Sequence, residues 1–401
     1  MLKDGIEMRM GEGPFIVMIL LLSMFGPLST DMYLSALPVM VDDFNTNEAV
    51  MNMSLYMFML TLSFCILFLG PLSDKYGRRR VLLTAMSVYT VSNAACCFVD
   101  NIWVFIALRI VQAVGSGGAL VSGFALIKDC YEGRERGRIL SLVAVLGILG
   151  PIVSPVIGTA LINVWGWHAT FVAPAAVSLI CILLGLQLPS SLPAERLEGS
   201  VVQAVRRLGV VVRDRGFTLF MLMICVFTAS QLAYISVSSY IYQDRFGLTT
   251  TEYSLALGAA CILALVLSAC LRRLHLRNLQ MVAAVFVLGV VSLVMMNCVA
   301  RYGWLLFMLS IVPCCSNTIT ARSFGFEILM NHHDGDNGSV SAVINFTTFV
   351  FAFMGMVIAS VFPSDSFIYG ISAVLLMSCT VFAVMWAVLR YMGYPVKNLK
   401  R

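Results

Sequence analysis

Few residues of this 401-residue chain could do chemistry, and those few stand in unusual places. Asp31 is the one acid in an apolar stretch that runs from Pro14 to about Val41. A carboxylate set in such a stretch costs about 3 kcal/mol on insertion scales, so it is a functional candidate by default, and carrying a proton is its natural task. The plainer alternative is that Asp31 is solvated near the outer interface, or caps a helix broken beside Pro27. Arg109, within Leu108-Arg109-Ile110-Val111-Gln112-Ala113, is the only base that has to be placed inside an apolar span. Arginine does not release its proton at working pH, so its part is electrostatic or structural. It would favour the charged form of a nearby acid in one conformation and not in another. The third feature is Gly70-Pro71-Leu72-Ser73-Asp74-Lys75-Tyr76-Gly77-Arg78-Arg79-Arg80. Its two glycines allow a tight turn between helices, and Asp74 stands among four bases, placed to pair with them or to cap a helix N-terminus.

Covalent catalysis has no matching residues. There is no G-x-x-x-x-G-K-[ST] phosphate loop, so ATP-driven transport is not expected of this chain. No Ser/His/Asp arrangement suggests a hydrolase. His332-His333-Asp334-Gly335-Asp336 is metal-like in composition but lacks the spacing of a closed site and reads as a solvated turn. His168 and His275 stand alone. No metal, no cofactor and no nucleic-acid partner is expected. The twelve cysteines form no CxxC pair and lie mostly in apolar runs, where they behave as small hydrophobes.

The elements that must position these groups are membrane helices. Hydrophobic residues make up 60% of the chain, charged ones 12%, and mean hydropathy is +0.91. A soluble domain carries about 25% charged residues, so a soluble enzyme, a disulfide-stapled secreted domain and a disordered chain are all excluded. A helical span needs roughly 20 apolar residues. Twelve such runs are present, near 14–39, 50–71, 80–99, 102–127, 139–163, 168–188, 216–242, 251–271, 279–299, 303–323, 338–361 and 367–390. The first is too long for the core of a signal peptide.

With both termini inside, 23 of the 26 Lys and Arg residues, Arg322 among them, fall on the cytoplasmic side, against Arg245 and Arg301 outside. That asymmetry sets the expected orientation and supports an even count. The longest break, 189–215, divides the chain into an N-terminal six-helix half (1–188) and a C-terminal six-helix half (216–401). Two such halves around a midplane substrate site are a known transporter architecture. A basic turn follows the second span of each half, 70–80 and 271–278, as a faint internal repeat.

The string at Gly70, Asp74, Lys75, Gly77, Arg78 and Arg79 resembles the loop motif of the major facilitator superfamily, and span count and linker position extend the resemblance over the whole chain. It implies an all-α membrane protein with twelve transmembrane helices in two six-helix halves. It also implies that this loop helps the halves switch between inward-open and outward-open states. Ser29-Thr30-Asp31-Met32-Tyr33-Leu34-Ser35-Ala36-Leu37-Pro38 is similar to a stretch of the Bcr/CflA group of drug:proton antiporters, with Ser35 where that group has proline. Arg109 resembles the superfamily's fourth-helix arginine, tied to proton movement, although Ala113 replaces a glycine. Gly150, Pro151, Pro155 and Gly158 are similar to the antiporter motif of drug exporters, with Ser154 and Thr159 in place of its first and last glycines. Close helix packing alone would also account for that small-residue run.

Tyr33, Tyr56, Gln231, Tyr234, Asn317 and Asn345 are candidate substrate-binding groups that could equally be interhelical hydrogen-bonding residues. The expected function is proton-coupled export of small lipophilic compounds, with Asp31 and Arg109 coupling the proton. The protein is expected to be a monomer in a bacterial-type inner membrane, partnered by substrate, protons and lipid. A metabolite importer or dedicated exporter on the same fold, and a non-transporting sensor or scaffold, are the alternatives.

Overall fold

The computed structural model describes residues 11–189, 209, 212–274, 276–330 and 337–393, and among them every regular element is helical. Most of the 189–215 linker, His275 and the 332–336 turn lie outside the described residues. Helix is what an apolar solvent demands, because backbone N–H and C=O groups must find partners within their own segment.

The first span is three short helices, α1 (Glu12–Ser23), α2 (Phe25–Thr30) and α3 (Leu37–Asp43), bent by 47° at a break. There follow α4 (Glu48–Tyr76), α5 (Arg78–Cys96), α6 (Ile102–Cys130), α7 (Gly133–Trp165) and α8 (Ala169–Gly185). Beyond the linker come α9 (Arg215–Cys225), α10 (Phe227–Tyr240), α11 (Thr250–Arg273), α12 (Asn278–Cys298), α13 (Trp304–Met330), α14 (Asn337–Val361) and α15 (Phe367–Tyr391). Eight helices are long and apolar enough to cross a membrane alone, and ten when the two bent pairs each count once. The short α8 and the arginine-headed α5 complete the twelve expected spans.

The chain divides into two compact units. One comprises the chain to Thr46 with Thr61–Val205, and the other joins Asn47–Leu60 to the chain from Arg206 onward. Lipid gives no apolar drive for helices to associate, so close backbone approach must hold them. In the first unit α6 supplies it with small residues. A Cβ at Gly115 would lie 2.5 Å from Tyr89 Cβ and 2.7 Å from the Ala85 carbonyl, and one at Gly117 2.6 Å from Cys65 Cβ. Phe15, Met18, Leu22, Leu82, Met86, Leu126 and Ile127 fill the space alongside.

In the second unit Phe217, Phe220, Phe227 and Phe382 form the core, and Gly355 lets α14 lie on the Ala229 backbone of α10. The first half of α4 belongs to this unit. Asn52 donates to Ser360 Oγ at 3.1 Å and accepts from the Tyr240 hydroxyl at 3.5 Å, and Tyr56 meets the edge of Phe353.

Candidate functional site

Asp31 sits where α2 gives way to a turn, seven residues beyond Met24, where the 47° bend separates α1 from α2. Its backbone N–H bonds the Pro27 carbonyl at 2.8 Å, making it the C-cap of α2. The chain then turns through Tyr33 and a short 3₁₀ segment, Leu34–Ala36, before Pro38 opens α3 in the first turn, where a missing N–H costs nothing. The Asp31 carboxylate accepts from Thr30 Oγ1 at 2.8 Å and is half-buried between buried neighbours, Thr30 and Met32.

α7 fixes this break. A Cβ at Gly150 would lie 2.7 Å from Pro27 Cγ, and one at Gly158 would overlap the Met32 carbonyl oxygen. Pro155 is buried and Pro151 half-buried, and the buried Ser154 hydroxyl has no hydrogen-bond partner. Thr159 donates to Ser35 at 2.9 Å. The four small or kinked positions taken from the antiporter resemblance therefore lie on the helix that abuts the residues on either side of Asp31.

Arg109 is fully buried on α6. It donates to Gln112 Oε1, and its Nη2 reaches the Tyr33 hydroxyl at 3.3 Å. The guanidinium lies 4.7 Å over the Tyr33 ring and 5.9 Å over Phe171, so part of its stabilisation comes from π faces. Gln112 donates to Asn93 Oδ1 at 2.7 Å, Asn93 donates to the Tyr89 carbonyl at 2.8 Å, and the Tyr89 hydroxyl bonds Ser29 at 2.7 Å. This line of residues leaves the first span at Tyr33 and returns to it at Ser29, flanking Asp31 by two positions on each side. Among the described residues no ion pair joins Asp31 to Arg109, and Tyr33 stands as their structural link.

The loop motif forms a separate cluster in the first unit. Gly77 joins α4 to α5 at φ 98°, a backbone region closed to other residues without strain. Arg78 is only 5% exposed, pairs with Asp74, and sends Nε to Asp129 Oδ2 at 2.6 Å. Lys75 lies 5.9 Å over the Tyr76 ring, and Arg79 has a buried Nε with no hydrogen-bond partner. Gly70 has room around it, with Val121 at 3.8 Å as the nearest neighbour of an added Cβ. Asp129, Asn93, Gln112 and Tyr89 were not singled out by sequence. Asp129 carries a signal in hindsight, being an acid at the basic end of the fourth span.

The substrate-binding candidates are dispersed. Tyr33 belongs to the Arg109 network. Tyr234 is buried against Phe307 and bonds the Tyr242 hydroxyl at 3.2 Å. Asn317 is fully buried with neither side-chain polar atom bonded. Tyr56, Gln231 and Asn345 are half-buried, and Asn345 accepts from Arg322 Nη2 at 3.1 Å. Arg322 lies within α13, as in the expected span 303–323, but the helix runs on to Met330, seven residues beyond that expected end.

The Major Facilitator Superfamily model matches residues 19–356, a range that holds Asp31, the 70–80 loop, Arg109 and α7. The MFS-type transporter YdgK of Bacillus subtilis is 30% identical over 242 residues, 59% of this chain and 60% of that protein. A chloramphenicol resistance protein of Pseudomonas aeruginosa is 32% identical over 261 residues, 63% of this chain and 60% of that one. Multidrug resistance protein MdtL of Escherichia fergusonii is 27% identical over 172 residues, 43% of this chain and 44% of that one. The chain thus matches three fifths or less of the length of these relatives. The crystal structure of a D-xylose-proton symporter superposes with a TM-score of 0.69 over 96% of this chain and 98% of that one, at 15% identity, a likeness of fold alone.

Proposed function

The chain belongs to the Major Facilitator Superfamily and is a transporter, not an enzyme, and from that premise we propose that it exports small lipophilic compounds in exchange for protons. The observation that carries this reading is the seating of α7 on the broken first span, with Gly158 against Met32 and Gly150 against Pro27, on either side of Asp31. A half-buried carboxylate on a break fixed by backbone contact is a suitable proton carrier, because its surroundings change when the helices around the break move. The names borne by the Pseudomonas aeruginosa and Escherichia fergusonii relatives support a drug-like substrate.

In this scheme the protein alternates between states open to either side of the membrane. A proton entering from outside binds Asp31 as substrate leaves outward. Inward release of that proton resets the carrier. Arg109 holds Tyr33, and through it the turn after Asp31, so it sets the field in which the carboxylate loads and unloads. The Asp74–Arg78–Asp129 cluster acts as a latch at the α4–α5 turn. The basic-residue asymmetry supports an inner-membrane protein with both termini cytoplasmic, and we take the monomer as the working unit.

Inverted vesicles with a pH-sensitive dye test the proposal. Adding chloramphenicol-like compounds to energised vesicles should release protons through the wild type, and Asp31→Asn should abolish the release at matched expression. Release that survives in Asp31→Asn would move the proton to another residue. No release from the wild type would favour a metabolite transporter, a reading supported by the loss of two motif glycines at Ser154 and Thr159.

A further inference from the structure

Arg322 is a charged group that the proton-coupling scheme does not use. Its Cα lies about 12 Å along α13 from Met330, at a helical rise of about 1.5 Å per residue. Asn345 lies a similar distance into α14 from that helix's start at Asn337. The two meet at the same depth, Nη2 to Oδ1 at 3.1 Å. Asn345 is itself fixed, because its Nδ2 donates to the Ser341 carbonyl at 2.9 Å, which aims Oδ1 at the guanidinium.

The surroundings decide what this arginine faces. From Ser310 to Ala321, α13 is buried on nearly every side, and then Arg322 and Ser323 are both exposed. The exposed residues from there to the helix end are Arg322, Ser323 and Glu327, all polar. A face turned to lipid tails would be apolar, so this one faces water. Its neighbours are fixed as well. Gly325, one turn on, has no room for a Cβ beside Ile224 of α9, and Cys225 reaches Thr348 of α14 at 3.4 Å. The guanidinium is therefore accessible to solvent yet closely enclosed by protein where α9, α13 and α14 converge. Among the described residues no acid pairs with it, and one of its five N–H donors is committed to Asn345.

We propose that Arg322, oriented by Asn345, is an anion-recognition site of the second unit that takes the carboxylate of an amphipathic substrate. The fork of donors left on the guanidinium matches a planar carboxylate through two parallel bonds, which a lysine at the same place could not reproduce. The apolar part of such a molecule would lie against the half-buried Phe326, one turn further along the same helix face. The proposal rests on the transport reading above and narrows its substrates, adding molecules with a carboxylate to neutral lipophiles. The anion could also come from a lipid headgroup, and the test separates the two.

Equilibrium binding to the purified protein in neutral detergent needs neither a gradient nor a direction of transport, so it can fail while proton-coupled export stands. The probes are nalidixate, an aromatic carboxylate, and its ethyl ester. The wild type should prefer the acid by about 10-fold or more, the scale of a charge-assisted pair. Arg322→Gln should erase that preference while leaving ester binding and the melting temperature unchanged. Arg322→Lys should restore it only in part, and Asn345→Ala should weaken acid binding several-fold. Equal binding of acid and ester by the wild type, or a preference that survives Arg322→Gln in a protein that still melts cooperatively, would overturn the proposal. A headgroup site would show itself differently and would equally overturn it. Phosphatidylglycerol micelles would then bind in an Arg322-dependent way while nalidixate showed no preference over its ester.

Discussion

The contact between Gly158 and Met32 gives the sharpest quantitative expectation. An alanine Cβ at 158 would stand 2.7 Å from the Met32 carbonyl carbon and 3.0 Å from its Cα, with the carbonyl oxygen closer still, against 3.4–4 Å for ordinary contact. The obstacle is backbone and cannot rotate away, so α7 and the turn after Asp31 must part by roughly 1.5 Å. Overpacking of this kind costs about 1–3 kcal/mol, and backbone involvement puts it at the upper end. Alanine regains about 0.5–1 kcal/mol of helix propensity over glycine. The net loss is about 2 kcal/mol. For a cooperative unit of this size that lowers the melting midpoint by about 4–8 °C. Gly137, on the same helix with nothing within 4 Å of an added Cβ, is the control. Gly137→Ala should leave the midpoint unchanged or raise it slightly. A thiol-reactive dye reports unfolding directly, because Cys96 and Cys181 of the first unit are buried thiols in no disulfide. Equal midpoints for Gly158→Ala, Gly137→Ala and wild type would refute the argument that α7 is seated on the break by backbone contact.

Three further outcomes follow from the same geometry. Arg78→Ala leaves Asp74 and Asp129 facing each other without their shared cation, so turnover in proteoliposomes should fall at least about tenfold while equilibrium substrate binding holds, since like charges at close range cost several kcal/mol. A matching loss of binding would place the cluster at the substrate instead. Arg109→Lys keeps the charge but cannot cover two aromatic faces and bond Gln112 at once, so substrate-induced proton release should drop about tenfold or more. Full activity in that variant would show that charge alone suffices. A double-mutant cycle on Ser35→Ala and Thr159→Ala should return a coupling of about 1 kcal/mol in thermal stability, and additive losses would mean that their hydrogen bond carries no energy.

The sequence made some of this legible and hid the rest for definite reasons. Spans announce themselves by composition, and Asp31 and Arg109 by standing out against it. The network around Arg109 does not. Asn93 and Gln112 are ordinary polar residues on different helices, and only the Gly115–Tyr89 approach of α6 and α5 brings them within 2.7 Å. Asp129 was masked by its neighbour Lys128, which makes the end of the fourth span look like any basic membrane edge. The tenth span reads as ending at 323 for the opposite reason. Arg322, Ser323 and Glu327 lie close together, so the hydropathy falls as at a loop, whereas the helix continues to Met330 with those polar residues exposed. Hydropathy averages over all faces of a helix and cannot distinguish a helix end from a helix with one wet side.

The departures from the antiporter pattern gain a physical meaning once the contacts are known. Ser35 stands where the resembling group has proline, and Thr159 where the motif has its last glycine, and these two residues donate and accept a hydrogen bond across the α7 contact. A proline at 35 would remove the hydroxyl, and a glycine at 159 would remove the donor. Either reversion alone would lose this hydrogen bond, worth about 0.5–1.5 kcal/mol. The two changes therefore read as one exchange, in which a side-chain hydrogen bond takes over from a rigid turn and a bare backbone. Gly158, the glycine shared with that motif, and Gly150, four residues before the position of its first glycine, are the ones where a Cβ would strike the Met32 backbone or Pro27. What the break beside Asp31 requires is thus the close approach of α7 at two points. How the chain satisfies the third, through proline and glycine or through serine and threonine, can vary without moving the carboxylate.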